Sequence, residues 1–482
     1  MIATLLSKTE LLKAVNGSQL GNADCVFDDV QTDSRNVSSE KKCMFVPLMG
    51  EFQNGHKYIP DVLAKNASVV LIENKEYSEN KEKYNQLVKD NSEVCFVLVE
   101  NTLTALQNAA EAYVSKKAEK MIRVSITGSS GKTTTKEMMV SVCKAYYGDD
   151  NVAYTKGNLN SETGLPLSVF KIRGDEKIGI FEMGMNRENE IGEISKVWKS
   201  QYGIITNIGT AHIGILGSRE NIAREKRKSL DYIPSTGAAF ICQEDSYGDF
   251  CTENVKGKVV KYGPLVKKNL SGVEFVEDKG LFGTVFTVDG ETVHLPLSGK
   301  YNFTNALSVI ACAKELGIPA EKIKQGLENV SAVSGRMETK QVLLKNNKKA
   351  ILIKDCYNAN LDSMLKVIEF CNSLKQIGKK IFVLADMKEL GTESEKSHQA
   401  VGKAVNDVLP DYVFMIGQEM KAGFDILSKK ENAFWYEDNE KKSFEEIAEK
   451  INSVAEENDV ILLKGSHSMN LEQLVPLLVL EA

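Results

Sequence analysis

The glycine-rich run TGSSGKTT, residues 127–134, carries the strongest chemical signal in the sequence. It follows a strand-like segment and opens a helix-forming one, and the exposed amides and helix dipole at such a junction favour a phosphate group. Lys132 is placed to reach the β- and γ-phosphates of a nucleotide, and the Thr133 hydroxyl to bind Mg²⁺. The other candidates for phosphate contacts are Gly128, Ser129, Ser130, Gly131 and Thr134.

This run departs from the usual spacing of a phosphate loop. In the pattern G-x-x-x-x-G-K-[ST] the first glycine would fall at position 126, which is Ile126 here, so the match is to a shorter loop. A glycine turn that happens to precede Lys-Thr is the competing interpretation. The strand before the run and the helix after it favour phosphate binding.

Two candidate metal ligands follow neighbouring strand-like segments. Glu182 closes IGIFE, and His212 comes after YGIITNIG. Each alone has a simpler interpretation, a solvated carboxylate for Glu182 and a hydrogen-bonded loop residue for His212. On consecutive strands of a nucleotide-binding sheet, however, the two predict a Mg²⁺ site. The basic run 224–228, which contains Lys226, by itself predicts only a solvated helix face.

The composition excludes several classes of protein. The chain has 482 residues, 42% hydrophobic and 26% charged, as in a folded globular protein of about three domains. Sixty Lys and Arg against 66 Asp and Glu give a net charge of −6 with interspersed signs, so no nucleic-acid partner is expected. With no signal-peptide pattern and no apolar run long enough to span a bilayer, we expect a cytoplasmic protein. Nine cysteines without a C-x-x-C pair predict free thiols, with neither a disulfide nor a zinc site.

Strand-like and helix-like segments alternate along the chain and predict an α/β protein. We expect a small α/β domain over 1–100, a P-loop-type parallel-sheet domain over 101–333 and a Rossmann-like doubly wound domain over 334–482. The strand-rich stretch 238–298 predicts an antiparallel flap inserted into the second domain, with an Asp-Gly hairpin turn within 288–291. The small, polar segment 330–336 predicts a linker to the third domain.

Together these motifs resemble the ATP-dependent Mur ligases of bacterial cell-wall synthesis, over essentially the whole chain. The matching segments of the first and second domains are TDSR at 32–35, FVPLMGEFQNGH at 45–56, TGSSGKTTTKEM, GNLNSETGLPLS, EMGMNRENEIGEI, NIGTAHIGILGS, the helix containing Lys226, and SGKYNFTNA at 298–306. SGRME, DCYNANLDSM, LADMKELG and LKGSHSM match in the remainder. The two N-terminal motifs separate the chain from folylpolyglutamate synthetases, and DCYNANLDSM favours the D-Ala-D-Ala-adding step.

The resemblance implies an ATP-dependent amide ligase. The expected reaction joins D-Ala-D-Ala to UDP-MurNAc-tripeptide through an acyl phosphate, giving UDP-MurNAc-pentapeptide, ADP and phosphate. The expected cofactors are ATP and two Mg²⁺ ions, one held by Thr133 and Glu182 and the other by His212 and a Lys226 carbamylated by CO2. The partners implied are these small molecules alone, and the expected state is a monomer.

The resemblance also implies roles for individual residues. The catalytic set is Lys132, Glu182, His212, Lys226 and Arg336. Further nucleotide contacts are expected from Asn302, Asn305, Arg336 and Asp355, with domain closure bringing the last two to the phosphates and ribose. The expected substrate contacts are Ser34, Arg35, Asn54, Gly55 and His56 for the uridine nucleotide, Asn158 and Asn160 as further candidates, and Asn358 and Asn360 near the dipeptide.

Five positions depart from the usual family pattern. They are Tyr301, Lys354, Leu361, Ala385 and His467. These departures leave open a ligase of the same type with another amine substrate, such as the third amino acid of the stem peptide or a specialised dipeptide or depsipeptide. A P-loop protein that uses ATP as a conformational switch is a further alternative, against which the two N-terminal motifs argue.

Overall fold

Four β-sheets, flanked by helices, form the framework of the protein. The structure is a computed structural model that describes residues 4–50, 53–263, 270–375 and 378–481. The chain divides into two units. One contains the residues up to Ser125 with Asp150–Gln201 and Lys228–Ile233, and the other contains Ile126–Asp149, Tyr202–Arg227 and the chain from Pro234 onward. The predicted α/β class is confirmed, whereas the bounds of the three expected domains stay a prediction.

The amino-terminal segment forms a five-stranded sheet in the order β1-β5-β4-β3-β2. Its strands and helices are α1 (Lys8–Val15), β1 (Ser18–Leu20), β2 (Asp29–Gln31), β3 (Cys43–Phe45), α2 (Ile59–Ala64), β4 (Ala67–Glu73), α3 (Asn74–Glu79), α4 (Lys81–Asp90), β5 (Cys95–Val99) and α5 (Thr102–Lys117). Strands β2 to β5 are parallel, and β1 pairs antiparallel with β5. The continuous apolar run of β4 is buried along almost its whole length, as in a central parallel strand.

A disulfide joins Cys25 to Cys95 in this segment, so the prediction of free thiols throughout is wrong for these two. Their Cα atoms lie 5.3 Å apart although 70 residues separate them in sequence. Sequence spacing carries no information about such a pair, because the sheet alone brings the two segments within bonding range. The other seven cysteines are free and buried.

The second sheet contains the glycine-rich turn. Its elements are β6 (Ile122–Thr127), α6 (Lys132–Tyr147), β7 (Val152–Tyr154), α7 (Gly164–Val169), β8 (Ile178–Glu182), α8 (Glu190–Trp198), β9 (Tyr202–Ile205), α9 (Ile213–Leu216), α10 (Arg219–Arg227), β10 (Ala238–Cys242), α11 (Gly248–Thr252) and β11 (Lys258–Tyr262). The division between the two units falls within β6. The first unit therefore contains the neighbouring strands β6, β8 and β7, and the second contains β11, β10, β9 and the end of β6. The β7/β8, β9/β10 and β10/β11 pairs are parallel, which is the predicted βαβ arrangement.

The predicted antiparallel flap begins later than expected. Strands β10 and β11 belong to the parallel sheet, and a separate antiparallel sheet is formed by β12 (Val273–Asp278), β13 (Thr284–Val288) and β14 (Glu291–Leu295). The prediction erred because β11 is an edge strand, whose one-sided burial resembles that of an antiparallel strand. The hairpin is confirmed, with positive φ at both Asp289 and Gly290 as a type I′ turn requires.

The last sheet has seven strands in the order β19-β18-β17-β20-β16-β15-β21. Helices α12 (Lys300–Glu315) and α13 (Ala320–Glu328) precede it. Its elements are β15 (Glu338–Leu344), β16 (Lys349–Asp355), α14 (Leu361–Ser373), β17 (Lys380–Ala385), α15 (Ser394–Val408), β18 (Tyr412–Ile416), α16 (Lys421–Asp425), β19 (Ala433–Tyr436), α17 (Lys441–Val454), β20 (Val460–Lys464), α18 (Val475–Leu478) and β21 (Val479–Glu481). Strands β16 to β20 are parallel, and β15 and β21 add an antiparallel edge.

No helix within the described ranges is long and apolar enough to cross a membrane. The helices instead bury one face against the sheets. In the seven-stranded sheet the central strand β20 is buried at every residue. That strand therefore provides a direct test of how much core packing contributes to the stability of this part of the chain.

Leu462→Ala should destabilise the chain by about 2–5 kcal/mol, because Leu462 is fully buried in β20 and truncation leaves a cavity. Leu480→Ala, at a residue 48% exposed, is the matched control and should change stability little. Urea unfolding followed by circular dichroism measures both. Equal unfolding midpoints for the two variants would contradict the assigned core.

Candidate functional site

The turn between β6 and α6 requires glycine at two positions. Gly128 has a φ of 151°, and a Cβ added there would lie 1.8 Å from Thr206 Oγ1. Gly131 has a φ of 82°, and its Cβ would lie 2.8 Å from Asn305 Oδ1. A larger residue at either position would be strained and would collide with its neighbour. The two glycines thus let the chain turn tightly from the strand end into the first turn of α6.

Asn207 holds this turn in place. Its carbonyl oxygen accepts from the Ser129 N–H at 2.9 Å, and its Oδ1 accepts from the Ser130 N–H at 3.1 Å. In return, Asn207 Nδ2 and Thr206 Oγ1 donate to the Ser130 carbonyl oxygen at 2.9 and 2.6 Å. These two loop amides therefore have partners within the protein, whereas the first amides of a helix have no acceptor within the helix itself.

Lys132 and Thr133 begin α6, as the sequence analysis predicted. The Lys132 ammonium donates to the Gly128 carbonyl oxygen at 2.8 Å and so lies over its own loop. Thr133 is buried at the same helix end. No role was predicted for Asn207, although it is the first residue of the motif NIGTAHIGILGS. The motif indicated that this segment is important, but only the structure shows that Asn207 is the residue that supports the turn.

The first turns of α12 place two predicted nucleotide residues. Asn302 donates from Nδ2 to the Ser298 carbonyl oxygen at 2.8 Å, and its Oδ1 accepts from Asn305 Nδ2 at 3.2 Å. Asn305 also lies against Gly131, as the distance from a Cβ at that glycine shows. The structure therefore brings this amide pair beside the phosphate loop.

The start of α14 contacts the same loops. Asn360 caps α14 by accepting from the Ser363 N–H, and its Nδ2 donates to Ser130 Oγ at 3.2 Å. One carboxylate oxygen of Asp362 accepts from both the backbone N–H and the hydroxyl of Thr210, at 2.7 and 2.9 Å. The role of Asn360 near the dipeptide stays a prediction, and its observed contact is with Ser130 of the glycine-rich turn. No role was predicted for Asp362, which lies two residues further along the same motif.

Arg336 lies two residues before β15, and Asp355 is the last residue of β16. The Arg336 guanidinium lies over the Tyr357 ring, 4.1 Å from its centroid. Asp355 accepts from the Met337 N–H at 3.2 Å and pairs with the buried Lys464 at 3.0 Å. These contacts fix the segment that follows the linker. Asn358 is exposed, and its carbonyl oxygen accepts from Lys464 Nζ at 2.6 Å.

His212 follows β9 and has Glu389 beside it. Its Nδ1 lies 2.7 Å from a carboxylate oxygen of Glu389, which comes from the loop after β17. Burial lowers the pKa of His212, which favours the neutral imidazole, the form that binds metal ions. Glu389 had no assigned role in the sequence analysis, although LADMKELG was among the quoted motifs.

Lys226 is fully buried on α10, whereas the Arg224 side chain on the same helix is 56% exposed. The interpretation of this run as a solvated helix face is therefore wrong for Lys226. Burial, reinforced by the charge of Lys132, lowers the pKa of Lys226 well below its usual value. The lowered pKa leaves more of the Lys226 amine in its neutral form. The neutral amine is the nucleophilic form, which reaction with CO2 requires.

Glu182 ends β8 and is 1% exposed in the first unit. Its Oε1 accepts from Asn160 Nδ2 at 2.7 Å, while Oε2 is buried without a hydrogen-bond partner. A buried carboxylate oxygen in that state fits a cation ligand. In the part of the chain that the structure describes, no group of three or more His, Cys, Asp or Glu residues could hold a metal ion. The four predicted metal ligands are not a group of this kind, because two of them are Thr133 and Lys226.

The uridine candidates of the first unit have mainly local contacts. His56 is buried, its Nε2 accepts from the Glu73 N–H at 3.1 Å, and its Nδ1 lies 2.8 Å from Asn54 Oδ1. Both ring nitrogens are thus engaged. Ser34 and the exposed Arg35 lie in a short 3₁₀ turn, Gly55 opens a second one, and Asn158 is exposed.

Four of the five departures from the family pattern are accommodated by packing or pairing. Ala385 is buried, Tyr301 and Leu361 are partly buried and pack against the core of the seven-stranded sheet, and Lys354 pairs with Glu338 at 2.9 Å. Burial raises the pKa of Glu338, but hydrogen bonds from Lys354 and its neighbours lower it to about 2. His467 is different, since its side chain is 72% exposed and stacks on Tyr357 with ring centroids 5.7 Å apart.

The fold and this arrangement of loops define an ATP-type ligase core, and comparison with known proteins agrees. The Mur ligase middle domain matches residues 126–313, and the Mur ligase glutamate ligase domain matches residues 335–467. The chain belongs to the Mur ligase family.

The names of individual relatives specify one ligase within this family. A protein of Treponema pallidum named UDP-N-acetylmuramoyl-tripeptide--D-alanyl-D-alanine ligase is 37% identical over 481 residues, covering 98% of this chain and 99% of its own. A Bacillus subtilis protein of the same name is 32% identical over 471 residues, covering 93% of each. Among solved structures, MurF from Acinetobacter baumannii aligns with a TM-score of 0.83 at 25% identity, covering 97% of each chain.

Lys132→Ala should lower ATP-dependent turnover by about 10²-fold or more, because it removes a preorganised cation from the phosphate loop. The fold should persist, since the Lys132 side chain is half-buried at the surface of the turn and is not part of a hydrophobic core. Lys442→Ala, at a side chain 86% exposed, is the control. Phosphate release and thermal melting measure both variants. Wild-type turnover in the Lys132 variant would contradict the prediction that residues 127–134 bind the phosphates of ATP.

Proposed function

We propose that this chain is an ATP-dependent ligase that joins D-alanyl-D-alanine to UDP-N-acetylmuramoyl-tripeptide. The observation that carries the proposal is the phosphate loop at β6–α6 in a chain that matches, from end to end, a relative named for this reaction. ATP supplies the energy for the new amide bond. The products are UDP-MurNAc-pentapeptide, ADP and phosphate.

The reaction proceeds in two displacements. An oxygen of the tripeptide's terminal carboxylate attacks the γ-phosphorus of ATP, the bond from that phosphorus to the β-phosphate oxygen breaks, and ADP leaves. The dipeptide amine then attacks the acyl phosphate carbonyl, phosphate leaves, and the amine loses a proton. Lys132 and Arg336 offset the charge that gathers on the phosphate oxygens, which is the main protein contribution in phosphoryl transfer.

The metal ligands we propose are Thr133 and Glu182 for one Mg²⁺ and His212 with a carbamylated Lys226 for the other. The buried Oε2 of Glu182 supports the first assignment, and the burial of Lys226 supports the second. Carbamylation joins the lysine nitrogen to the carbon of CO2 with loss of a proton, which turns a cation into an oxygen ligand. When bound, the ions neutralise charge on the phosphate oxygens.

The remaining substrates are assigned to surfaces at the loops already described. We place the uridine nucleotide at Ser34, Arg35 and the 54–56 turn, with Asn158 and Asn160 as further contacts. The dipeptide is placed near Asn358, the exposed residue of YNAN. The adenine and ribose are placed near Asn302, Asn305 and Asp355. Asn360, which contacts Ser130, would connect the dipeptide loop to the phosphate loop.

The test is ATP-dependent phosphate release from the purified protein with UDP-MurNAc-tripeptide, with and without D-Ala-D-Ala. We expect release only when both are present. A parallel reaction supplies UDP-MurNAc-dipeptide with lysine or diaminopimelate. Release with that pair alone would assign the preceding step instead, and release indifferent to all of these substrates would favour a nucleotide-driven switch.

Lys226→Ala should be nearly inactive and should regain part of its activity with a short-chain carboxylate, because the added carboxylate can supply the missing oxygen ligand. Lys228→Ala, two residues away and paired with Asn189, is the control and should stay active. Phosphate release measured against carboxylate concentration checks both. Full activity of the Lys226 variant without rescue would contradict the carbamate assignment.

A further inference from the structure

Glu389 lies outside every set of residues assigned above to ATP, metal or substrate, yet its carboxylate reaches 2.7 Å from Nδ1 of His212. Both residues adopt left-handed backbone conformations, with φ of 64° at Glu389 and 65° at His212. Such values are uncommon outside glycine and persist where tertiary contacts hold them. The juxtaposition of the two side chains is therefore built into the backbone of both loops.

The backbones of the two loops are also bonded to each other. The Gly214 N–H donates to the Glu389 carbonyl oxygen at 2.9 Å. A Cβ added at Gly214 would lie 2.5 Å from that oxygen and 2.5 Å from the backbone nitrogen of Gly391. Only glycine at 214 permits the two loops to approach this closely, so the position of Glu389 relative to His212 is fixed independently of their side chains.

The chemistry of this pair is that of an oriented imidazole. A histidine that binds a metal through one ring nitrogen typically donates its other N–H to a carboxylate, which fixes both the tautomer and the ring direction. Here Nδ1 faces Glu389, and Nε2 is the nitrogen that remains for a cation. The present contact has the length of a hydrogen bond but not its full geometry.

We infer that Glu389 is a positioning residue that holds His212 with its proton on Nδ1 and its Nε2 directed to the metal. Glu389 follows β17 of the seven-stranded sheet, whereas His212 follows β9 of the parallel sheet. The metal ligand is thus oriented only when these two segments are in contact. The inference rests on the proposed function in one respect, which is that His212 is a metal ligand.

The first experiment measures Mn²⁺ binding to the full-length protein in the presence of β,γ-methylene-ATP, with free Mn²⁺ quantified by electron paramagnetic resonance. Glu389→Ala should weaken Mn²⁺ binding by about 10–100-fold, the usual effect of removing such a partner. Glu389→Gln, which keeps an acceptor oxygen, should lose less. Wild-type affinity in Glu389→Ala would overturn the inference.

Two further variants complete this measurement. Glu393→Gln changes a carboxylate four residues along the chain that pairs with Lys396, and it should bind Mn²⁺ as the wild type does. His212→Ala sets the loss expected when the ligand itself is removed. If His212→Ala bound Mn²⁺ normally, both the metal role of His212 and the inference would fall. The ligation reaction would still stand or fall on its own assay, because no peptide substrate is present here.

The second experiment separates orientation of the ring from general support of the loop. In protein labelled with ¹⁵N at its five histidines, the His212 ring shifts should report the Nδ1–H tautomer. Glu389→Ala should move these shifts towards mixed tautomers. Asp362→Asn weakens a different contact to the same loop, at Thr210, and should leave the tautomer unchanged. An equal change in both variants would reduce Glu389 to a structural contact and overturn the inference.

Discussion

The loop that follows β9, residues 206–212, together with the start of α9, is the segment on which the candidate site depends. Its Thr206 and Asn207 hold the phosphate turn by hydrogen bonds to Ser129 and Ser130. Further along, the Gly209 N–H donates to Ser129 Oγ at 2.9 Å. One short loop thus sets the shape of the glycine-rich turn. Because it also carries His212, the phosphate site and the predicted metal site share a single support.

The same loop is where segments that follow strands of the seven-stranded sheet contact the candidate site. Asp362 bonds to Thr210, and Glu389 contacts His212 through its side chain and Gly214 through its backbone. Asp362 lies at the start of α14, and Glu389 lies in the segment that follows β17. A change in position of the seven-stranded sheet would therefore act first on Thr210, His212 and Gly214.

Buried charged groups occur in both units of the chain. Glu182 and Lys226 are almost completely removed from solvent, as is Lys464, which pairs with Asp355. Burying a charge costs several kcal/mol unless it is paired, coordinated or neutralised. Lys464 meets this requirement through its ion pair. For Glu182, whose buried Oε2 has no hydrogen-bond partner, a bound cation is the chemical solution that the proposed function supplies.

The sequence by itself determined the α/β class, the glycine turn between a strand and a helix, and the family, because glycine turns, strand-to-helix junctions and motif spacing are local properties. It also placed Lys132 and Thr133 at the start of a helix and located the hairpin at Asp289-Gly290. Only the tertiary structure showed the Cys25–Cys95 pair, the burial of Lys226, the parallel pairing of β11 and the contact of Glu389 with His212. These four features depend on which distant segments of the chain come into contact. Neither periodicity nor spacing along the sequence shows which face of a helix or strand another segment will cover.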